Sequence, residues 1–297
     1  MTMQLLDGKS VARQSREEIK AQVKELQSVG YRPPHLAAIL VGEHQASMTY
    51  VRQKVRDCEE IGFESTLRRL PESVGQRELL DHIQAFNEDS EVDGLIVQLP
   101  LPQHIDVDTV IEAVDPSRDV DGFHPINFGR MTKGQDSFLP ATPFGILRLL
   151  DRYRIDPSGQ HVVILGRSAI VGRPLSILLS RNAHPGNATV SLCHSRTRNL
   201  GELLHQADII VAAIGKKNFV TAEMVRDGAV VIDVGINQQE DTSKKRGYRL
   251  VGDVDFERVS PKCSYITPVP GGVGPMTRIG LLLNTLRAYR MRFGLPL

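Results

Sequence analysis

The sequence predicts an α/β protein of two domains, each built on a parallel sheet, the second of them a Rossmann-type dinucleotide-binding domain. Three observations carry this reading. Short continuous apolar runs alternate with helical periodicity along nearly the whole chain, the pattern of βαβ units whose strands are buried on both faces. At 297 residues the chain is long enough for two cores. A strand, a glycine turn and a helix follow one another over 161–181, the context that a dinucleotide fingerprint requires.

Taken in order, Lys9 to Val29 has the charged, periodic look of an amphipathic helix closed by Gly30. His35 to Val41 is an apolar strand ended by Gly42, and Ala46 to Ile61 is helical again. Glu64 to Leu70 reads as a mixed strand, Gln76 to Asn87 as a helix, and Gly94 to Leu99 as a buried strand stopped by Pro100 and Pro102. Asp115 to Thr142, rich in Asp, Pro, Gly and Asn, reads as a long irregular connection. The second set comprises a strand His161 to Leu165, a helix Gly172 to Arg181, a strand Thr189 to Cys193 and a helix Asn199 to Gln206. Ile209 to Ile214, Ala229 to Val234 and Ser264 to Ile266 supply three more strands, and Ile279 to Arg292 a last amphipathic helix. Gln238 to Gly247 is a polar hairpin or exposed loop. The domains are expected at 1–140 and 141–276, with the C-terminal helix, 277–297, returning to the first.

Composition narrows the function. A net charge of +1 gives no electrostatic case for binding nucleic acid or an anionic membrane surface. The N-terminus carries Asp7 and Lys9 with no apolar core, unlike a signal peptide, and no apolar run approaches the roughly 20 residues of a membrane span. Cys58, Cys193 and Cys263 are scattered and odd in number, which suits reduced thiols in the cytoplasm.

The strand at 161–165 enters Gly166-Arg167-Ser168-Ala169-Ile170-Val171-Gly172-Arg173-Pro174. The spacing is G-x-S-x-x-x-G, a partial match to the dinucleotide fingerprint. Gly166 permits the tight turn, Ser168 is small and adds a hydroxyl, and Gly172 lets the helix sit close to the strand. The helix N-terminus offers N–H groups to a phosphate. A tight turn with no ligand would use the same glycines. At the end of the next strand, where NAD sites place an acid for the ribose 2′-hydroxyl, stand Cys193-His194-Ser195-Arg196-Thr197-Arg198. Two arginines and two hydroxyls suit a 2′-phosphate, so the expected cofactor is NADP. Solvated surface arginines are the alternative.

A second constellation lies in the first domain. Met48, Val51, Val55, Cys58 and Gly62 form one stripe of the helix 46–61, with Tyr50 and Lys54 one turn apart at its margin. Partial desolvation would lower the lysine pKa toward useful acid–base values, and the ring offers a flat substrate a stacking surface. A lysine snorkelling from a helix edge fits the same spacing. Gln98 sits at a strand end, where a neutral amide can hydrogen-bond a lysine without fixing its charge. Asp121, within Asp119-Val120-Asp121-Gly122-Phe123-His124-Pro125, can accept paired N–H bonds from an amidine-like edge or simply make an Asp-Gly turn. A metal site is not expected here, because no second His or Cys stands at ligand spacing. Thr267 to Thr277, TPVPGGVGPMT, holds three prolines, three glycines and no charge. Its backbone shapes it either as a rigid interdomain turn or as a cradle for a flat ligand.

Together YVRQK (50–54), VQLPLP (97–102), DVDGFHP (119–125), GRSAIVGRP (166–174) and TPVPGGVGPMT (267–277), in this order, resemble the bifunctional methylenetetrahydrofolate dehydrogenase/cyclohydrolase family over nearly the whole chain. The resemblance implies oxidation of 5,10-methylenetetrahydrofolate by NADP to the 5,10-methenyl cation, then hydrolysis to 10-formyltetrahydrofolate. It also implies a homodimer, a cleft between the two domains, and a place in one-carbon metabolism and purine biosynthesis. By position it makes Lys54 the catalytic lysine, tuned by Gln98, with Tyr50 stacking on the folate and Asp121 anchoring the pterin edge. Val97, Leu99, Pro270, Gly271, Gly272, Val273 and Gly274 would complete the folate contacts. Gly166, Arg167, Ser168, Gly172, Ser195, Arg196 and Ile236 would hold NADP. Two other readings stay open on the residues alone: an NADP-dependent dehydrogenase of another small metabolite, such as a shikimate-type alcohol, and a non-catalytic dinucleotide-binding module.

Overall fold

The structure is a computed structural model that describes residues 3–243 and 247–297. In chain order the elements begin with β1 (Gln4–Leu5), α1 (Gly8–Ser28), β2 (His35–Val41), α2 (Gln45–Ile61), β3 (Glu64–Leu70), α3 (Gln76–Glu88) and β4 (Gly94–Val97). Next come α4 (Val107–Ala113), α5 (Pro125–Thr132), α6 (Ala141–Arg152), β5 (His161–Leu165), α7 (Gly172–Ser180), β6 (Thr189–Cys193) and α8 (Leu200–His205). The chain ends with β7 (Ile209–Ala212), β8 (Val230–Asp233), β9 (Asn237–Glu240), β10 (Tyr248–Val251), α9 (Phe256–Val259), β11 (Tyr265–Ile266) and α10 (Val273–Arg292). They form two compact units. One comprises Arg13–Ala141 and Arg278–Leu297; the other comprises the chain up to Ala12 and Thr142–Thr277.

The unit containing α2 is built on a parallel sheet of order β3-β2-β4. The central strand β2 is buried from Leu36 to Val41, as that unbroken apolar run requires. The helix α3 turns Leu79, Ile83 and Phe86 inward at i, i+4 and i+7, each contributing about 1.5–3 kcal/mol by leaving water. They join Ile39, Leu95 and Val110 in one core. Gly94 is required where β4 passes close to Val120, since a Cβ would stand 2.7 Å from its Cγ1. The C-terminal part of α10 belongs to this unit, as expected. Asn284, 2% exposed, donates from Nδ2 to the carbonyls of Val120 and Leu139, both at 2.8 Å. Tyr289 donates to the Arg32 carbonyl at 2.7 Å.

The other unit carries a six-stranded sheet of order β1-β11-β8-β7-β5-β6, parallel in every pairing. The first strand of its alternating set, β5, lies between β6 and β7, so the strand order reverses beside it. Such a switch point opens a crevice at the carboxyl ends of the strands. Residues before Ala12, expected with the first domain, fall in this unit because β1 pairs with β11.

Four stretches depart from the sequence reading. The connection 115–142 holds the helix α5, started by Pro125 at its first turn and capped by the His124 side chain accepting from the Ile126 N–H. Neither α4, capped by Asp106, nor α6 was expected. The last helix begins at Val273 rather than Ile279, taking in part of the Pro/Gly stretch; Pro275 is tolerated because first-turn N–H groups need no helical partner. Gln238 to Gly247 does form a hairpin, with β9 and β10 antiparallel, although 244–246 lie outside the described residues. Among the described residues no helix is long and apolar enough to cross a membrane.

Asn284→Ala leaves one buried and one half-buried carbonyl without their donor, and we expect a loss of about 2 kcal/mol or more. The thermal midpoint should then fall by about 4–8 °C; an unchanged melt would show that this bond does not hold the helix.

Candidate active site

The helix α2 presents Lys54 toward the end of β4. A His44 ring nitrogen caps the helix by accepting from the Ser47 N–H, and Gly62 ends it in the left-handed region at φ 84°. Lys54 is only 5% exposed, more deeply enclosed than its place at the margin of the apolar stripe suggests. Its Nζ donates to Gln98 Oε1 at 3.2 Å and lies 5.1 Å from the centre of the Tyr50 ring. Gln98 in turn donates from Nε2 to the Leu99 carbonyl at 2.7 Å. With the amide nitrogen engaged there, the oxygen is left to face the amine.

Burial pushes the Lys54 amine below the ordinary lysine range, against the pull of the Asp121 carboxylate. Asp121 is half-buried by exposed area yet enclosed by protein atoms. Its carboxyl is raised by burial and drawn back down by Lys54. Cys58, one turn beyond Lys54, is fully buried, and desolvation raises its thiol to about 12, so it is neutral. Val97, Leu99 and Asp121 line a common cleft with Val110, Ile111 and Phe123. The structure therefore brings Tyr50, Lys54, Gln98 and Asp121 together, with Val97 and Leu99 adjoining.

The loop bearing Asp121 is shaped by a residue that the sequence reading passed over. Asp119, 4% exposed, accepts from the N–H groups of Gly122, Phe123 and His124 and from Asn127 Nδ2 at 2.8–3.1 Å. Gly122, at φ 73° and packed against the Leu139–Pro140 backbone, makes the turn. Aspartate at the first position of a turn with glycine three residues on is the available signal, and Asp119 with Gly122 fits it.

In the dinucleotide unit, Gly166 adopts φ 111° with a Cβ position only 2.1 Å from the Ala213 carbonyl oxygen. A Cβ on Gly172 would meet the Gly166 carbonyl oxygen at 1.8 Å, so both glycines are obligatory. Ser168 Oγ accepts from Val171 N at 3.2 Å, tightening the turn at the start of α7. Arg167 and Ser168 stay exposed, leaving a backbone cradle at a helix N-terminus that fits a pyrophosphate. Ser195 and Arg196 follow β6 in a turn closed by His194 and Thr197, both residues exposed. Ile236, 61% exposed, follows β8. All the predicted cofactor residues thus gather at the carboxyl ends of β6, β5 and β8.

Two buried carboxylates hold these strand ends and were not anticipated. Asp253, fully buried, accepts from Ile214 and Gly215 N–H at 2.7 and 2.9 Å and from Asn237 Nδ2 at 2.9 Å. Asp233 accepts from Gly235, Asp253 and Val254 N–H, each at 2.9 Å. Burial outweighs those bonds and raises its carboxyl to about 6. In the Pro/Gly stretch, Gly271 has φ 118° and its carbonyl accepts from Lys9 N at 3.0 Å. Gly272, Gly271 and Val273 are buried, Gly274 is half-buried and Pro270 is exposed. Thr267, fully buried, accepts from Asp233 N at 2.7 Å. Among the described residues no group of three or more His, Cys, Asp or Glu could hold a metal ion.

Comparison with known proteins matches two family descriptions in succession along the chain. The family description "Tetrahydrofolate dehydrogenase/cyclohydrolase, catalytic domain" matches residues 6–121, and its NAD(P)-binding domain matches 140–293. A relative named bifunctional protein FolD, from Flavobacterium johnsoniae, is 57% identical over 98% of both chains. The crystal structure of the bifunctional FolD dehydrogenase/cyclohydrolase of Campylobacter jejuni is 48% identical, with a TM-score of 0.92, over 98% of this chain and 100% of that one. The Trypanosoma brucei dehydrogenase-cyclohydrolase, complexed with NADP cofactor and inhibitor, is 36% identical with a TM-score of 0.93 over 99% of each. The chain belongs to the tetrahydrofolate dehydrogenase/cyclohydrolase family.

Proposed function

We infer that this chain oxidises 5,10-methylenetetrahydrofolate to 5,10-methenyltetrahydrofolate with NADP and hydrolyses the product to 10-formyltetrahydrofolate, interconverting one-carbon folates. The observation that carries the reading is Lys54, an enclosed amine facing a neutral amide, on the catalytic domain of a chain that also carries a dinucleotide turn. NADP supplies a hydride acceptor. The folate nitrogens expel the hydride, so the protein's part in oxidation is orientation. Tyr50 stacks on the folate, Asp121 accepts from the aminopyrimidinone edge, and Val97, Leu99 and the backbone of Pro270 to Gly274 complete the contacts. Gly166, Arg167, Ser168 and Gly172 would hold the pyrophosphate of bound NADP, and Ser195, Arg196 and the backbone at Ile236 would hold the rest of it.

Hydrolysis needs proton handling. Water adds to the carbon between N5 and N10 of the cation, and the neutral Lys54 amine accepts the proton that water sheds. The carbon–N5 bond then breaks as the hydroxyl left by the added water gives up its remaining proton and becomes the formyl oxygen. N5 takes up one proton in exchange, the formyl group stays on N10, and Lys54 releases its proton to solvent. Gln98 orients the amine without imposing a charge on it. We place the enzyme in the cytoplasm as a homodimer without nucleic-acid or membrane partners, with its product serving purine biosynthesis. The net charge of +1 and the three buried free cysteines support that setting.

Lys54→Ala should lower hydrolysis by about 10²–10⁴-fold while oxidation stays measurable, both being followed by absorbance in one assay; unchanged hydrolysis would refute the assignment. Since the neutral amine accepts the proton, the hydrolysis rate should rise with pH through the Lys54 pKa. That pKa is depressed, so the ascending limb should lie below the ordinary lysine value of about 10.4. For the cofactor, replacing Arg196 and Arg198 by Ala should raise the KM for NADP about tenfold or more, or roughly 1.4 kcal/mol, with little change for NAD. Equal effects on both cofactors would mean that these arginines do not read the 2′-phosphate.

A further inference from the structure

The helix that carries Lys54 is gripped from outside the site by an ionic cluster that the chemistry above does not use. Asp57, three residues after Lys54, is 6% exposed. Its Oδ2 lies 2.7 Å from Arg278 Nε, from α10, and its Oδ1 lies 3.7 Å from Arg16 Nη1, from α1. The same Arg278 donates from Nη1 to Gln53 Oε1, and Arg16 Nε lies 3.2 Å from Glu60 Oε1. One guanidinium therefore spans positions 53 and 57, one turn apart on α2, and a second spans 57 and 60. Both arginine side chains are only 16% exposed.

We propose that Arg278, acting through Gln53 and Asp57, is a positioning residue for the hydrolytic step: it fixes the rotation and axial register of α2 so that Lys54 Nζ stays on Gln98. A planar fork that binds two side chains at i and i+4 resists both twist and slide, which a point charge on a flexible stem does not. The tolerance is small. A rotation of about 20° moves a helix Cα by about 0.8 Å, since the Cα radius is about 2.3 Å. Starting from 3.2 Å, that takes the Lys54–Gln98 contact out of hydrogen-bond range. Because Lys54 is almost wholly buried, its stem has little room to compensate.

Energetics point the same way. Burial pushes the Asp57 carboxyl up despite the opposing pull of Arg278 and Arg16, so desolvation is not fully offset. Replacing such buried pairs with apolar side chains is often neutral or stabilising. Placement of the helix is what the cluster adds.

The inference rests on the assignment of Lys54 to hydrolysis, and the experiment separates the two. Arg278→Met, Arg278→Lys, the double variant Asp57→Met/Arg278→Met and Lys54→Ala are purified as full-length chains. Each is assayed for both activities across pH. Arg278→Met should lower hydrolysis kcat about tenfold or more, given that misplacement by about 1 Å can cost 10²-fold, and oxidation should fall much less. The ascending pH limb should move up, as an amine displaced from its enclosed place among Gln98, Tyr50, Cys58 and Asp121 regains ordinary basicity. Arg278→Lys should recover only part of the rate. The double variant should melt no lower than the native chain yet show the same loss of hydrolysis. Hydrolysis and oxidation falling in proportion, with the pH limb unmoved, would make the cluster merely structural and overturn the proposal. Native hydrolysis in Arg278→Met beside an inactive Lys54→Ala would overturn the proposal alone. Native hydrolysis in Lys54→Ala would instead remove the assignment beneath it, and the proposal with it.

Discussion

Everything in the catalytic unit follows from keeping one lysine amine out of water. A buried ammonium without a partner is strongly disfavoured, and a carboxylate in direct contact would fix it as a cation. The structure does neither. The nearest acceptor is the neutral oxygen of Gln98 at 3.2 Å, and the acid that offsets the burial, Asp121, acts through charge. Desolvation and one opposing charge therefore leave an amine able to change its protonation state in the course of a reaction. The sheet, the apolar stripe of α2 and the loop shaped by Asp119 hold those three groups at their separations.

The dinucleotide unit meets a different constraint. A pyrophosphate must approach the backbone closely, and the glycines at 166 and 172 sit where any Cβ would strike a carbonyl oxygen within about 2 Å. Loops at the ends of parallel strands have few regular partners, so buried side chains supply them. Asp253 ties the turn after β7 to Asn237, and Asp233 ties the turn after β8 to Asp253 and Val254. The rigid-turn reading of the Pro/Gly stretch finds its physical basis in Thr267 and Gly271, whose polar groups meet Asp233 and Lys9.

Much of this was legible because it is local. The six apolar residues Leu36 to Val41 of β2 and the strand–turn–helix at 161–180 declare themselves through period and composition. The polar pair Tyr50 and Lys54 is legible from helix spacing, which places them one turn apart. What escaped depends on tertiary partners or on caps within polar sequence. The helices α4 and α5 are short and begin at Val107 and Pro125 within stretches dense in turn residues, so their helical period has little room to show. The start of α10 lies inside a run of Gly and Pro that reads as loop until the fold covers it. The bonds of Asp119 are local but belong to a motif whose second acid draws the attention. Those of Asp233 span up to 34 residues and those of Asp253 up to 39, distances that no sequence window captures.

The central claim, that Lys54 is enclosed so as to titrate below the ordinary lysine range, is open to direct measurement. Nuclear magnetic resonance of the chain carrying lysine labelled with carbon-13 at Cε, followed through a pH titration, reports each amine separately. The account predicts one lysine signal with a midpoint clearly below the others and absent from Lys54→Gln. A native protein in which every lysine titrates together near about 10.4 would contradict it.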